Sequence, residues 1–400
     1  MSPERRRRVA VVVLDACGVG ELPDSAEYGD AGADTLTHVA EDADGLTLPN
    51  LGALGLGNIT TILGVPPAGA PVVHGRLHPL GPGKDSTTGH WELMGAITPA
   101  PLPTYPGGFP AEVVDRLRAA TGREFCCNKP YSGTEVIDDF GEHHLQTGEL
   151  ILYTSADSVL QVAAHDDLLP EADLHALCAT IRGVMTGADE VGRVIARPFT
   201  GAPGAFQRTT GRRDFSLDPP SRTYLDALHE HRVPVHAVGK VYDLFAGRSI
   251  DAAHNGKTNE QALAATTELL RTVDHGLIFT NLVETDQLYG HRHDVAGFAG
   301  ALKAIDDEVG IWRALLGPDD LLILTADHGV DPRSGHTDHT REHVPLLAAR
   351  GDDGGDGHRH DGPMSDVGAT ALQWLTGLEA PDLPGAPFLA ERQRGVAREA

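Results

Sequence analysis

Residues 9–15 read VAVVVLD, a run of six apolar residues, four of them valines, that ends in an aspartate. Such a run is typical of a strand that is buried on both faces, as in a parallel sheet. Three comparable runs occur late in the chain: VPVHAVG at 233–239, GLIFTNLVETD at 276–286 and DLLILTADHG at 320–329. Helical patterns lie between them, such as NEQALAATTELLRTV and AGFAGALKAIDDEVGIWRALL. This alternation predicts an α/β fold with a parallel-rich sheet flanked by helices.

The middle of the chain has a different composition. From about residue 100 to 219 it is rich in proline, glycine and short motifs, for example PAPLPTYPGGFP and ILYTSADSVLQVAAH. Proline clusters near 99–110 and at 219–220 mark the ends of this segment. We therefore expect a smaller α+β domain at 100–219, inserted between the two parts of a core domain at 1–99 and 220–400.

The bulk composition restricts the class of partner. Of the 400 residues, 40% are hydrophobic, which suffices for a packed core and excludes wholesale disorder. The formal net charge of −25 repels nucleic acid and anionic membranes, so we expect neither as a partner. A small anionic substrate would need metal ions or clustered arginines to reverse the sign of the charge locally.

Cysteine usage and the N-terminus indicate a cytoplasmic protein. No C-x-x-C pair occurs, so neither a disulfide framework nor a cysteine zinc site is expected from the four cysteines, Cys17, Cys126, Cys127 and Cys178. The apolar run after the N-terminal arginines is too short for a signal peptide. No stretch approaches the ~20 apolar residues that a membrane span requires.

Polar side chains follow all four predicted strands, in chain order Asp15, then Lys240, then Glu284 and Asp286, then Asp327 and His328. In open α/β sheets, ligands bind at the carboxyl ends of the strands. A single aspartate there could equally be a turn or helix-cap residue. Several in one sheet indicate a functional site.

Two histidines extend this set, His291 five residues after Asp286 and His339 twelve residues after Asp327. The alternative is that they are surface loop histidines, in a chain with 21 of them. Mixed carboxylate and imidazole ligands suit Mn²⁺, Zn²⁺ or Fe²⁺. Two ions with three ligands each, an arrangement that serves phosphoryl transfer, could be held by Asp15, Asp286, His291, Asp327, His328 and His339.

The stretch GPGKDSTTGHWE at 81–92 places three hydroxyls, Ser86, Thr87 and Thr88, at a predicted helix start. The free N–H groups and the positive dipole end of a helix favour phosphate there, and an activated hydroxyl is a nucleophile. The alternative is plain N-capping of the helix. Five arginines between residues 193 and 213 form a local exception in an acidic chain, which favours anion binding over a solvated basic loop.

Over nearly its whole length, the chain resembles the phosphopentomutase family of the alkaline phosphatase superfamily. The match includes LDACGVGELPDSAEYGDAGADTLTHVAE, LPNLGALGLGN, GKDSTTGHWELMG, NLVETDQLYGHRHDV, LLILTADHGVDP and TDHTREHVPLL. The metal motifs alone indicate only the superfamily. The motifs of the middle segment point to the mutase family itself, and they are NKPYSGTEVID, YTSADSVLQVAAH and VGRVIARPF.

The resemblance implies an alkaline-phosphatase-like core with a cap domain, and interconversion of ribose or 2-deoxyribose 1-phosphate with the 5-phosphate. It implies that Ser86 is the phosphorylated nucleophile, charged at first by a sugar bisphosphate activator. It also implies two Mn²⁺ ions, one on Asp286, His291 and His339, the other on Asp15, Asp327 and His328. The implied substrate contacts are Ser155, Asp157, Val159, Arg193, Ile195, Arg208 and Lys240.

Three positions depart from the family pattern. Ser86 stands where threonine is usual, and we expect activity to survive because the hydroxyl is retained. Glu284 replaces an aspartate, and we expect at most an indirect effect because the ligand Asp286 is kept. His336 stands where glycine is usual, and we expect it to perturb the loop that carries His339, or to contact metal or substrate.

The alternatives lie in three classes. A metal-dependent phosphatase or a cofactor-independent phosphoglycerate mutase would use the same core with another acceptor. A sulfatase is disfavoured because no cysteine lies in a C-x-P-x-R setting. A non-enzymatic metal-binding scaffold is disfavoured by the retention of all six ligands and of a hydroxyl at position 86.

Overall fold

The computed structural model describes residues 7–155, 157–351 and 357–389. The strands are β1 (Arg8–Leu14), β2 (Val73–His78), β3 (Phe125–Pro130), β4 (Leu150–Thr154), β5 (Val159–His165), β6 (Arg193–Thr200), β7 (Gln207–Arg208), β8 (Arg213–Ser216), β9 (Val235–Val238), β10 (Ala252–His254), β11 (Gly276–Leu282), β12 (Leu321–Thr325), β13 (Val344–Arg350) and β14 (Gly362–Pro363). The helices are α1 (Thr35–Asp42), α2 (Pro49–Leu54), α3 (Leu56–Ile59), α4 (Ser86–Leu93), α5 (Ala111–Thr121), α6 (Glu135–Thr147), α7 (Glu171–Val184), α8 (Tyr224–Glu230), α9 (Val241–Leu244), α10 (Asn259–Thr272), α11 (Val295–Leu315) and α12 (Asp366–Thr376).

The chain forms two compact units, each with its own sheet. The larger, which we call the core unit, comprises Met1–Ala100 and Pro219–Ala400. The smaller, which we call the cap unit, comprises Pro101–Asp218.

The core unit is built on an eight-stranded sheet of order β10-β9-β11-β1-β12-β13-β2-β14. Strand β1, the VAVVVL run, lies near the middle and pairs in parallel with β11 and β12. Its residues 9–13 are fully buried, as expected for a strand covered on both faces. The five strands from β10 to β12 are parallel, and only β13 runs antiparallel to its neighbours. The predicted parallel-rich α/β sheet is confirmed.

Helices cover both faces of this sheet. Successive residues of β11 point to opposite sides, as in any strand. Thr280 lies with its hydroxyl 2.8 Å from that of Thr266 on α10. The neighbouring Phe279 ring packs 5.8 Å from His90 of α4 and 6.0 Å from Phe245, which follows α9. Thus α10 covers one face, and α4 and α9 cover the other.

The candidate ligands after β11 and β12 lie outside these strands, because each strand ends a few residues before them. Strand β11 ends at Leu282, and Thr285–Tyr289 forms a π-helical turn, a type of turn that often occurs at functional sites. Strand β12 likewise ends at Thr325. The predicted ligands after these strands therefore lie on irregular backbone, which can aim neighbouring side chains at one point.

The cap unit has a mixed sheet of order β3-β4-β5-β6-β7, with β8 also pairing β6. One apolar cluster joins α5 and α7 to the face that carries Leu152, Val162 and Val194. A second cluster joins Val136 and Ile137 of α6 to the opposite face. Mixed strand directions and helices on both faces give this unit an α+β character.

Two segments fall partly outside the described residues. The N-terminal arginine run begins in residues 1–6, and the glycine- and aspartate-rich segment at 350–362 includes residues 352–356, which are not described. Of the histidines in that segment, His358 is exposed and His360 lies 2.8 Å from an Asp366 carboxylate oxygen. Across the described ranges, no helix combines the length and apolar character needed to cross a bilayer. All four cysteines are free thiols.

Hydrogen bonds to the Glu342 side chain connect the loop after β1 with the segment that precedes β13. Its buried carboxylate accepts hydrogen bonds from the backbone N–H groups of Gly20 (3.2 Å) and Thr35 (2.9 Å). It also accepts from the hydroxyls of Thr35 and Thr340, each at 2.6 Å. Burial nevertheless raises the pKa of Glu342 to about 7.

This raised pKa makes stability depend on pH. Between pH 4.5, the ordinary pKa of the group, and about 7, folded Glu342 holds a proton that the unfolded chain has lost. Its contribution to the free energy of unfolding therefore falls as pH rises through this window, by about 3 kcal/mol at most. Urea unfolding of the wild type and of Glu342→Gln at pH 5 and pH 7.5 measures this, because the difference between the two proteins isolates the group. An unchanged difference would contradict it.

Candidate metal centre

The structure brings all six predicted metal ligands together in the core unit. Since β11, β1 and β12 are adjacent and parallel, their carboxyl ends open at one edge of the sheet. There lie Asp15, Asp286 of the π-helical turn, and Asp327 with His328. The loops that follow contribute His291 and His339.

Two groups of ligands adjoin each other. In the first, Asp286 Oδ1 lies 3.3 Å from Nε2 of both His291 and His339. In the second, His328 Nε2 lies 3.5 Å from Asp15 Oδ1 and 3.6 Å from Asp327 Oδ2. The His328 and His339 rings stack with centroids 3.8 Å apart, which joins the groups. A ring nitrogen of His328 also lies within 4.8 Å of the potential ligand atoms of Asp286 and His339, so His328 faces both groups.

The buried carboxyl groups of the centre would be stabilised in their ionised form by bound positive charge. Burial, and then the charges of Asp327 and Asp286, raise the pKa of Asp15 well above its ordinary value, against the opposing effects of Lys240 and Asn281. Burial also disfavours the ionised form of Asp327, but His328 and His90 hold its pKa at about 2. Three buried carboxylates this close are costly to ionise together unless cations lie among them.

The donor set fits divalent metal ions. Asp15 Oδ2 accepts a hydrogen bond from Asn281 at 2.9 Å, whereas its Oδ1 accepts none from the described residues. A fully buried carboxylate oxygen without a donor lacks compensation for its lost hydration. Carboxylate oxygens with imidazole nitrogens are ligands that Mn²⁺, Zn²⁺ and Fe²⁺ accept. These residues would therefore be compensated by bound ions.

The geometry separates the three adjacent hydroxyls. Asp85, not a hydroxyl, caps α4, since its Oδ1 accepts from the N–H groups of Thr87 (3.0 Å) and Thr88 (3.1 Å). Thr88 also donates its hydroxyl to Asp85 Oδ2 at 2.8 Å. Ser86 does not cap the helix, and its Oγ lies 3.1 Å from His328 Nε2. Of the three, Ser86 is thus placed beside the candidate metal ligands.

We expect Asp85→Ala to lower the free energy of unfolding by about 1 kcal/mol, because two N–H groups at the start of α4 lose their acceptor. Asp85→Ser, which restores a capping oxygen, should recover most of this loss. Urea unfolding of the three proteins measures the effect. If the alanine variant were as stable as the wild type, the cap would contribute nothing.

His90 belongs to the site but was missed in the sequence analysis. It is fully buried one turn after Ser86, and its Nδ1 lies 2.8 Å from the Ser86 carbonyl oxygen and 3.1 Å from Asp327 Oδ2. The adjacent Gly89 allows this approach, because a Cβ there would lie 2.5 Å from the Asp327 carbonyl oxygen. The four-residue spacing from Ser86 was the available signal.

Asp30 connects Lys84, two residues before Ser86, with the loop that carries His339. Lys84 Nζ lies 3.0 Å from Asp30 Oδ2, and His336 Nε2 lies 2.9 Å from Asp30 Oδ1. His336 Nδ1 in turn accepts from the N–H of Asp338 at 3.2 Å. The departure at position 336 is therefore built into this loop through hydrogen bonds at both ring nitrogens.

The predicted substrate residues are divided between the two units. Lys240 follows β9 in the core unit and affects the pKa of Asp15. The others lie in the cap unit, where Ser155 follows β4 and Val159 pairs with Arg193 across β5 and β6. Arg193 lies 3.1 Å from Asp157 through Nη2 and 3.6 Å from Asp214 through Nη1. Ile195 shares its strand, and the Arg208 side chain is exposed on β7.

Comparison with known proteins gave consistent matches. A model of the metalloenzyme superfamily matches residues 7–377. A phosphopentomutase from Anaeromyxobacter dehalogenans is 50% identical over 392 residues, covering 97% of this chain and 100% of the relative. One from Carboxydothermus hydrogenoformans is 49% identical over 345 residues, covering 85% of this chain and 88% of the relative. Among solved structures, a phosphoglycerate mutase of Leishmania mexicana aligns with 96% of this chain and 98% of its own, at 14% identity and a TM-score of 0.48.

Proposed function

The chain belongs to the phosphopentomutase family within the metalloenzyme superfamily, and on that premise we propose that it transfers a phosphoryl group between the 1- and 5-oxygens of ribose or 2-deoxyribose phosphate through a phosphoserine at Ser86. Family membership makes it an isomerase that acts on sugar phosphates. The observation that carries the proposal is the position of Ser86 Oγ, 3.1 Å from His328 Nε2 at the first residue of α4.

The metal centre would be filled by two divalent ions, which we take to be Mn²⁺. One would be held by Asp286, His291 and His339, the other by Asp15, Asp327 and His328. Ions bound there supply positive charge to the oxygens of the transferring phosphoryl group. His90 and Ala16 orient the second group, since the His90 ring and the Ala16 N–H each contact one oxygen of Asp327.

In the proposed catalytic cycle, Ser86 donates and then recovers a phosphoryl group. Phosphorylated Ser86 gives its phosphoryl group to the free hydroxyl of the sugar phosphate, which forms a bisphosphate and restores the serine hydroxyl. The sugar reorients, and Ser86 attacks the other phosphate, so the P–O bond to the sugar breaks as the one to serine forms. Because Ser86 ends each cycle phosphorylated, only the first cycle needs a donor, which we propose is a sugar bisphosphate.

Substrate binding would involve the residues that the family resemblance implies. Arg193 is oriented by Asp157 and Asp214, so its guanidinium is held in one geometry before the sugar arrives. We propose that it contacts the sugar phosphate together with Ser155, Asp157, Val159, Ile195, Arg208 and Lys240.

A phosphatase on the same core would use water as the acceptor instead of a sugar hydroxyl. Phosphorus NMR distinguishes the two, with purified protein, ribose 5-phosphate, Mn²⁺ and a trace of a sugar bisphosphate. A growing ribose 1-phosphate signal without inorganic phosphate is the expected result. Accumulating inorganic phosphate would make the protein a phosphatase, and turnover of phosphoglycerates alone would make it a phosphoglycerate mutase.

We also propose that the protein works in the cytoplasm and does not bind nucleic acid. Four free thiols suit a reducing compartment. The net charge of −25 opposes binding to a polyanion. A nucleic-acid complex that persists at physiological salt would contradict this.

A further inference from the structure

The end of helix α6 in the cap unit brings together three side chains that the proposed function does not use. Cys126 lies on β3, His143 lies near the end of α6, and Glu149 lies between α6 and β4. One sulfur, one ring nitrogen and one carboxylate oxygen of these residues all lie within 4.8 Å of one another. We call these three residues the cap triad. They come from separate segments of one compact unit.

Strand pairing and helix packing account for this convergence. Cys126 pairs in register with Ile151 of β4, and both pack in the apolar cluster that includes α6. Gly148 ends α6 in the left-handed region, with a φ of 77°, and there the chain turns back. Glu149 thereby returns to the helix, and its Oε2 lies 2.8 Å from His143 Nε2. These two side chains are 36% and 48% exposed, so an ion can reach them from solvent.

Hydrogen bonds fix the backbone around the cap triad. The N–H of His165 donates to His144 Nε2 at 2.9 Å, so the neutral His144 ring carries its proton on Nδ1. That Nδ1 donates to the Glu149 carbonyl oxygen at 2.6 Å, and burial lowers the pKa of His144, which keeps the ring neutral. The Cys126 thiol donates to the Leu150 carbonyl oxygen at 3.6 Å. Contacts of this kind orient metal ligands before the ion binds.

The chemistry of the cap triad differs from that of the core centre. An exposed histidine–glutamate pair alone is an ordinary surface ion pair, but here a thiol lies within reach of both groups. Thiolate, imidazole and carboxylate together suit Zn²⁺ or Co²⁺, whereas Mn²⁺ and Mg²⁺ prefer oxygen ligands. Burial, and then the charge of Glu149, raise the pKa of Cys126 to about 12. The sulfur therefore keeps its proton at neutral pH until a cation displaces it.

We propose that Cys126, His143 and Glu149 bind one Zn²⁺ ion, with water as the fourth ligand, and that this ion links β3 to the end of α6. The Zn–S bond forms as the S–H bond breaks, and the proton is released to solvent. The site uses none of the ligands of the core centre and does not rest on the proposed function. The sequence analysis did not expect a cysteine zinc site, because no C-x-x-C pair marks it and its ligands meet only in the folded cap unit.

Titration with CoCl₂ of the full-length protein, reduced and stripped with EDTA, tests the site. A cobalt–thiolate bond gives a charge-transfer absorption that carboxylate and imidazole ligands do not give. We expect this absorption to saturate at one ion per chain in the wild type and to be lost in Cys126→Ser. Cys127→Ser is the matched control, because it removes the next thiol along the chain, which is outside the cap triad. Excess Zn²⁺ should displace the cobalt and remove the absorption, since both ions accept these ligands.

His143→Gln and Glu149→Gln test the other two ligands. Each should raise the dissociation constant of the thiolate-bound Co²⁺ at least about tenfold, because a three-ligand site loses one donor. Glu142→Gln is the control for charge, since it removes a carboxylate from an exposed neighbour on α6 that accepts from Gln146 instead. It should leave the dissociation constant unchanged. Circular dichroism establishes that each variant is folded.

Three results would overturn the site. The first is the absence of thiolate absorption in the wild type at saturating Co²⁺. The second is absorption that survives Cys126→Ser, which would assign the bond to another cysteine, such as Cys17 beside Asp15. The third is an unchanged dissociation constant in both His143→Gln and Glu149→Gln, which would leave a single thiol as the ligand. If Cys126→Ser does not fold, the variants of these two exposed side chains decide.

Discussion

Ser86→Ala should abolish mutase turnover, with kcat reduced at least about a thousandfold, because the hydroxyl that we propose accepts the phosphoryl group is gone. The variant should fold normally, since Asp85 rather than Ser86 caps α4. Phosphorus NMR of ribose 1-phosphate formation measures turnover, and mass spectrometry after incubation with a sugar bisphosphate measures the phosphoenzyme.

Ser86→Thr is the matched control, because it adds one methyl and keeps the hydroxyl. Ser86 is half-buried, and because the hydroxyl is kept we expect kcat within about tenfold of the wild type. Phosphorylation of Thr87 or Thr88 in the wild type, or undiminished turnover in Ser86→Ala, would show that the nucleophile lies elsewhere.

Asp15→Asn should have opposite effects on the metal-free and metal-loaded protein. Without metal, the substitution removes one of three buried neighbouring carboxylates, so we expect the free energy of unfolding to rise by about 2 kcal/mol. With Mn²⁺, the loss of a negative ligand should reduce the metal-dependent rise in melting temperature and lower kcat at least about a thousandfold. Melting with EDTA or with excess MnCl₂, together with metal analysis, measures both effects.

Asp307→Asn provides the control for this prediction, because it removes the same charge from an exposed ion pair with Lys303 on α11. It should change neither the metal content nor the response to EDTA. If Asp15→Asn bound metal as well as the wild type, or lost stability equally with and without metal, Asp15 would be a structural residue and not a ligand.

Much of the fold follows from local pattern. The valine-rich run at 9–14 predicts a buried strand because few other elements tolerate β-branched residues without polar alternation. The three later runs and the helices between them follow from the same rule, and each contains the strand or helix that the structure shows. The six candidate ligands could be named because polar residues directly after apolar strands lie at one sheet edge.

Other features of the site depend on contacts that local pattern does not encode. Ser86, Thr87 and Thr88 are equivalent by composition, and only the backbone direction at Asp85 decides which oxygen caps the helix. His90 occupies an ordinary helix position until α4 packs against the end of β12 and brings its ring to Asp327. His328 faces both ligand groups because the loops that carry His291 and His339 fold back over it.

By itself, the sequence determined the strand and helix order, the acidic surface and the candidate ligands, because these depend on residue type and on spacing within one element. Only the tertiary structure decided which of those groups lack partners. Tyr153 is predicted to be buried by its place in an apolar strand, yet its hydroxyl meets Arg197 and Arg208 only through strand pairing and a crossing loop. A hydrogen-bond partner is a property of the neighbours that the folded chain supplies, and those neighbours come from distant parts of the sequence.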